Sequence, residues 1–321
     1  MSTALGFVAF VLHTALMLAA APVAAGLVRW LKGRLLGRAG PPPWQPWLEI
    51  VRLSRKQPVF AENASFVFRW APGVVFAATL AAAALVPSFA LHMTTAPIAD
   101  LIVLAGLLSL GRAALALAAM DVGTAFGGIG ASREMTFAAY AEPALVLVLT
   151  IFTFALLAST TNLDALAAQL HDFAFGLRVS LGLALLSLLG VALADSGRLP
   201  VDNPASHLEL AMVHEAMVLE YSGPPLALLE LSACLRLLLW MTLIGTLFAP
   251  FGLGPADAGP AGWLAGLLGW AFRVVVLSAA LALLESTLAK MRVFRVPEFL
   301  GVAVLLALLA VVFLFVSQGF A

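Results

Sequence analysis

The sequence predicts an all-α, polytopic integral membrane protein with about eight transmembrane helices, forming a single transmembrane domain over residues 1–321. Three observations predict it. Hydrophobic residues make up 63% of the chain and charged residues only 11%, and the mean hydropathy is +1.05. Stretches of about 20 residues with few or no charges recur, each long enough as helix to cross a hydrocarbon core of roughly 30 Å. Lysine and arginine gather in alternate connections instead of spreading evenly.

The apolar stretches fall near residues 3–29, 72–91, 98–120, 134–158, 176–195, 223–249, 262–285 and 298–317. The first carries its charges on its C-terminal flank and lacks a basic leader, which argues for a retained helix over a signal peptide ending near Ala24-Ala25. Total charge is balanced at 17 basic and 17 acidic residues, so it does not point to a partner, nucleic acid included. Its distribution is informative. Arg29, Lys32, Arg34, Arg38, Arg52, Arg55, Lys56 and Arg69 lie in or beside the first connection. Arg133, Arg198, Lys290, Arg292 and Arg295 fall at the third, fifth and seventh, while the even connections hold little beyond Arg178. The positive-inside rule then puts the odd loops in the cytoplasm and both termini outside.

The first loop, residues 30–71, divides in two. Gly40-Pro41-Pro42-Pro43 cannot form helix and reads as a stiff extended segment. After it, Trp47, Ile50, Val51 and Ser54 share one helical stripe and Glu49, Arg52 and Lys56 lie elsewhere, the pattern of an interfacial amphipathic helix. Such a helix serves as a membrane-surface anchor or as a docking surface for a soluble partner.

The third loop, Asp121 to Glu134, contains Gly123, Gly127, Gly128 and Gly130 and reads as tight and irregular. Its spacing is neither a Walker nor a dinucleotide fingerprint. Arg133 and Glu134 then stand at the start of the fourth helix, where Glu134 favours the positive end of the helix dipole.

The fifth loop, residues 196–222, is the acidic one and the most informative. Pro200 and Pro204 bracket a turn at Asp202-Asn203, and the residues after it read as helix up to Ser222-Gly223. On such a helix Glu209 and Glu220 lie about 20° from eclipsed, with Glu215 between them, while His207, His214 and Tyr221 form a nearly opposite stripe. His214-Glu215 does not begin a zinc-protease motif, because position 218 is Val218. His207 and His214 are about 10 Å apart along a helix, too far to share one metal.

Inside the apolar stretches stand Glu142, Glu230, Arg236, Arg273 and Glu285. Facing lipid, each would cost roughly 2.5–3.5 kcal/mol or more, so each is expected to point inward. Two uses are open: a proton path, or static ion pairs such as Arg236 or Arg273 with a carboxylate. Asp100, Asp195 and Glu298, near helix ends, can reach the interface. The lone Cys234 forms no internal disulfide, zinc site or cluster ligand set, so a redox cofactor is expected in other chains.

Pro200-Val201-Asp202-Asn203-Pro204, His207-Leu208-Glu209-Leu210, Met212 to Glu215 and Leu219-Glu220-Tyr221-Ser222-Gly223 resemble the eight-helix membrane subunit of energy-converting nickel–iron hydrogenases of the hydrogenase-4 and formate hydrogenlyase type. That family is similar in turn to the membrane subunit of respiratory complex I that contributes to its quinone chamber. Gly40-Pro41-Pro42, Leu53 to Lys56, Gly127-Gly128-Ile129-Gly130 and Ser132-Arg133-Glu134 extend the resemblance over essentially the whole chain.

The resemblance implies a non-catalytic, cofactor-free anchor in a bacterial or archaeal cytoplasmic membrane. The nickel–iron centre and iron–sulfur clusters would sit in hydrogenase large and small subunits and a ferredoxin-like subunit docked on the odd loops. Antiporter-like membrane subunits would stand beside it and move protons or sodium. It further implies an acidic entry at Glu209, Glu215 and Glu220, with Asp202, Arg133, Glu134 and His214 beside it, continuing inward through Glu142, Glu230 and Glu285. A competing class is a stand-alone secondary transporter, which intramembrane carboxylates also permit, although no internal hydropathy repeat relates the two halves.

The charge asymmetry gives a direct test. In a Cys234→Ser background, single cysteines at position 2 and in the even loops should react with impermeant maleimide only from outside, and those in the odd loops only from the cytoplasm. Labelling of position 2 from the cytoplasmic side alone would overturn this topology.

Overall fold

The computed structural model describes residues 2–155, 161–172, 179–202, 213–289, 291–292 and 295–319. Helices stand at all eight predicted apolar stretches: α1 (Ser2–Leu35), α3 (Phe66–Leu85), α4 (Leu101–Asp121), α5 (Ala125–Ala155), α7 (Val179–Asp195), α9 (Gly223–Phe248), α10 (Gly259–Thr287) and α11 (Val296–Gly319). Among the described residues six of these are long and apolar enough to cross a membrane, and α7 is apolar but shorter. Three further helices are described between them: α2 (Gln45–Ser54), α6 (Leu163–Asp172) and α8 (His214–Val218). The chain is therefore an all-α polytopic membrane protein.

Polar side chains mark where the spans begin. Ser65 Oγ accepts the Val67 amide ahead of α3, and Asp100 Oδ1 accepts the Ile102 amide ahead of α4. Proline at the first turn of α9 and of α10 sits where no intrahelical amide is needed.

Helix α9 is the central post. Every residue from Cys234 to Leu247 is buried, as expected of a helix that is apolar on all sides and enclosed by its neighbours. Helices α1, α2, α3, α7 and α10 pack around it. Helix α5 closes the other side against α4, α7 and α11.

The connections gather by parity. Tyr221 Oη donates to Phe68 O, Met291 N donates to Pro200 O, and Lys32 Nζ donates to Glu285, joining the first, fifth and seventh loops at one end. At the other end, residues Ala90–Leu91 (β1) pair in parallel with Gly254–Pro255 (β2), Asp164 accepts the His92 amide, and Asp100 bridges to Asn162. Odd and even connections thus gather at opposite ends of the bundle.

Three local readings change. Gly127, Gly128, Gly130, Arg133 and Glu134 are not in a loop: α5 begins at Ala125, so Glu134 lies well inside it. The glycines serve close approach. A Cβ at Gly127 would come within 2.2 Å of Ala119 O, and one at Gly130 within 3.0 Å of Ala216, Met217 and Val213. In a membrane, where lipid and side chain are equally apolar, such backbone proximity outweighs the helix penalty of about 1 kcal/mol per glycine.

The stripe on α2 is rolled. Pro46 and Ile50 are buried, whereas Val51 and Ser54 are exposed, because α2 lies on α9 as well as α1. Trp47 still anchors it, donating its indole N–H to Ala19 O on α1 at 3.0 Å. The proline segment before α2 doubles back along α1, with Pro43 O where a Cβ on Gly26 would lie and Gly40 against Gly33.

The third change is at residues 221–223, which form a clasp instead of ending a long helix. The Tyr221 ring stacks on Phe68 with centroids 4.0 Å apart, and burial pushes its phenol pKa up. Ser222 Oγ accepts the Val59 amide at 2.8 Å. Gly223 has φ +62, and a Cβ there would stand 2.9 Å from Gln57 O. Gly223→Ala should therefore lower the thermal midpoint of the detergent-solubilised protein, since the left-handed backbone alone costs about 1–2 kcal/mol. Gly73→Ala, inside α3 where a Cβ meets nothing within 4 Å, should raise it slightly, through a gain of about 0.5–1 kcal/mol.

Candidate functional site

A cavity of about 390 Å³ opens at the odd-loop end, under the clasp. Its wall takes Arg29 from α1, Arg198 and Asp202 from the fifth loop, His214 and Glu215 from α8, and Glu230 and Arg236 from α9. Apolar side chains, among them Val75, Leu115 and Leu229, fill the rest.

Behind the inner wall lies a buried charge cluster. Arg112 of α4 pairs with Asp195 of α7 at 3.6 Å and with Glu142 of α5 at 3.5 Å. The Trp240 indole donates to Asp195 at 2.6 Å, and Ser109 Oγ donates to Glu142 at 2.6 Å. Glu134 faces His214 Nδ1 at 3.9 Å. Arg112, Glu134, Asp195 and Arg236 are all buried. Ionised groups in such a place persist only when opposite charges or hydrogen bonds replace the lost water.

A second cluster stands on the opposite side. Glu285 of α10 is held by Lys32 at 2.9 Å and by Arg198 at 3.5 Å. Burial lowers the Arg198 pKa from the usual arginine value, and the adjacent Glu285 opposes that shift. Arg29 and Glu49 make a more exposed pair at 3.7 Å.

The structure sorts the residues singled out in the sequence. Asp202, His214, Glu215 and Glu230 share the cavity wall; the His214 amide also points at Asp202 Oδ2 at 3.4 Å. Glu134 joins through His214, and Glu285 through Arg198. Glu142 sits at the far end of the Arg112 cluster, its side chain 43% exposed on the flank of the bundle. Arg133 is half-buried on α5. Glu220 is exposed on the turn after α8 and does not line the cavity. Glu209 and His207 lie outside the described residues.

The single long helix predicted after Asp202 is not formed between Val213 and Gly223. Val213 has non-helical angles of φ −123 and ψ −72, and α8 ends at Val218. The turn that follows frees Tyr221 and Ser222 for the clasp, so His214 and Tyr221 do not share one helical stripe. Arg273 takes no carboxylate among the described residues. Its guanidinium donates to Ser88 O at 2.8 Å, Ala249 O at 3.2 Å and Gly245 O at 3.4 Å, tying the end of α9 to α3.

Arg112 is the residue that sequence reading missed. Its signal was a single cation in the middle of the apolar stretch at 98–120, the same feature that exposed Arg236 and Arg273. Asp195, set aside as able to reach the interface, turns inward because Arg112 and Trp240 await it.

Carboxylates and an imidazole on a cavity wall can exchange protons with water, whereas the arginines stay charged and set the local field. Among the described residues no group of three or more His, Cys, Asp or Glu side chains could hold a metal ion.

Fold and site together define a polytopic membrane protein that presents an ionisable chamber at one face of its bundle. The sequence pattern of the family described as NADH dehydrogenase matches residues 7–317, and the chain belongs to that family. It is 31% identical over 301 residues to hydrogenase-4 component C of Escherichia coli K12, covering 93% of this chain and 92% of that one. It is 29% identical over 283 residues to formate hydrogenlyase subunit 4 of the same organism, covering 88% and 90%. A subunit of the NADH-quinone oxidoreductase of Rhodopseudomonas palustris BisB5 is 28% identical over 294 residues, covering 86% of each. The fold matches a chain of an archaeal respiratory membrane complex, the membrane-bound sulfane sulfur reductase, with TM-score 0.73 and 18% identity over 95% of this chain and 99% of that one.

Arg112→Met should be strongly destabilising, by about 3–5 kcal/mol, because it strands Asp195 and Glu142 without their cation. Arg112→Lys should recover part of the loss. Thermal denaturation of the purified protein in detergent measures both, and an unchanged midpoint for Arg112→Met would remove the cluster's structural role.

Proposed function

We propose that this chain is the membrane-anchoring and ion-coupling subunit of an energy-converting nickel–iron hydrogenase of the hydrogenase-4 or formate hydrogenlyase type. The observation that carries the reading is the 31% identity to hydrogenase-4 component C across 93% of the chain. In this reading the odd-loop face is cytoplasmic. It receives hydrogenase large and small subunits and a ferredoxin-like iron–sulfur subunit, which hold the nickel–iron centre and the clusters. The chain itself carries no redox cofactor.

Its part in turnover is electrostatic. A change of charge at a docked cluster alters the field on His214, Glu215 and Glu230, which respond by binding or releasing protons through water in the chamber. Glu134, Asp195 and Arg112 extend the ionisable chain to Glu142, whose partly exposed carboxylate faces the flank where antiporter-like membrane subunits would stand. An intramembrane carboxylate left open to lipid is costly, so a neighbouring subunit covers it.

A second reading is the quinone-reducing branch, supported by the 28% identity to the NADH-quinone oxidoreductase relative. There the same chamber would receive a quinone head group.

The test is purification of the tagged chain in mild detergent. Nickel- and iron-containing soluble subunits should co-elute and evolve hydrogen from a reduced dye; elution of the chain alone would overturn the anchor role, and quinone reduction without hydrogen evolution would select the second reading. Within the assembled complex, Glu215→Gln should spare dye-linked activity and lower physiological turnover or ion movement by at least about tenfold. Glu220→Gln, exposed and off the wall, should do less.

A further inference from the structure

A second cavity, of about 350 Å³, runs along the flank of the bundle where α7 and α10 border α9 without closing over it. Its floor is α9 from Leu237 to Ala249, a rise of about 18 Å. Volume divided by that length gives about 20 Å² open to the centre of a water-sized sphere, so the groove is roughly 8 Å from wall to wall, narrower than the 10–12 Å that a helix with side chains needs. On one rim Phe272 and Val276 are exposed, which places its opening sideways, toward the hydrocarbon. One leaflet contributes about half of a 30 Å hydrocarbon core, so the groove matches the length of a lipid acyl chain.

The two ends differ. At the deep end Arg273 contributes its stem, its guanidinium being turned onto backbone carbonyls. At the odd-loop end stand Ser196 and Arg198, which also line the ionisable chamber. Ser196 Oγ is buried and finds no hydrogen-bond partner among the described residues. Arg198 shares the carboxylate of Glu285 with Lys32, so the guanidinium at this end has a divided counter-charge. An unused hydroxyl donor and a guanidinium with a divided counter-charge, at the mouth of an apolar groove open to the hydrocarbon, complement a phosphate.

We propose that the α7–α9–α10 groove binds one phospholipid with an anionic head group, its acyl chain against Leu237 to Ala249 and its phosphate at Ser196 and Arg198. The lipid closes the lateral seam between membrane and chamber. The inference depends on the chain spanning a membrane and not on the hydrogenase reading, so failure to recover hydrogenase partners leaves it standing.

The complex, or the chain as purified, is washed in excess detergent and its retained lipid identified by mass spectrometry after purification and after incubation with phosphatidylglycerol or phosphatidylcholine vesicles. A stoichiometric, tightly held phosphatidylglycerol is expected, with phosphatidylcholine washed away. Ala280→Trp and Leu189→Trp, which fill the groove from opposite walls, should each cut retention several-fold, while Arg198→Gln should keep a lipid but lose the preference for the anionic one. Equal retention in both tryptophan variants, indifference to head group in the unmodified protein, or an isoprenoid quinone as the retained species would overturn the assignment.

Discussion

A charge that cannot reach water must find its opposite inside the protein, and in this chain Arg112 is where that constraint is met. One guanidinium on α4 serves carboxylates on α5 and α7, and the α7 carboxylate is bound in turn by an indole on α9. Four helices are thereby fixed relative to one another by groups that dispersion packing alone would not register. Small residues complete the job, as Gly127 and Gly130 bring α4, α5 and α8 to near backbone contact. The chamber inherits its shape from this frame.

The two halves of the polar network differ in what they can do. Around Arg112 two carboxylates share one cation, so each holds it less exclusively than a dedicated pair would. Around Glu285 two cations share one carboxylate that is fixed in place, which suits a boundary more than a relay. The chamber between them is walled by groups that titrate and by arginines that do not.

Much of this was legible in the sequence. Apolar runs of the right length located every span, and alternating charge separated the two faces, because both signals are imposed by the bilayer itself. The conspicuous polar segment did supply Asp202, His214 and Glu215 to the wall. What escaped were features set by tertiary contact. The glycines of α5 read as a loop because their value lies in Ala119 and Ala216, on other helices. Tyr221 fitted a helical stripe by spacing and Ser222 the end of that helix, but hydrogen bonds to Phe68 and Val59 compete with the helix and win. Arg112 was visible as a charge, yet its role required knowing which carboxylates would come to it.

The clasp between residues 57–59 and 221–223 joins segments made far apart in time as well as in sequence. Everything from α1 to α7 leaves the ribosome before α9 does, and until then the first loop has no Ser222 to hold it and the bundle has no post. Until then α3, α4 and α5 can pack on one another, with Arg112 and Glu142 already within the same hairpin, while the place of α9 stands open. Completion of the chamber is thus tied to arrival of α9, so an interrupted chain cannot form its wall of Glu230 and Arg236.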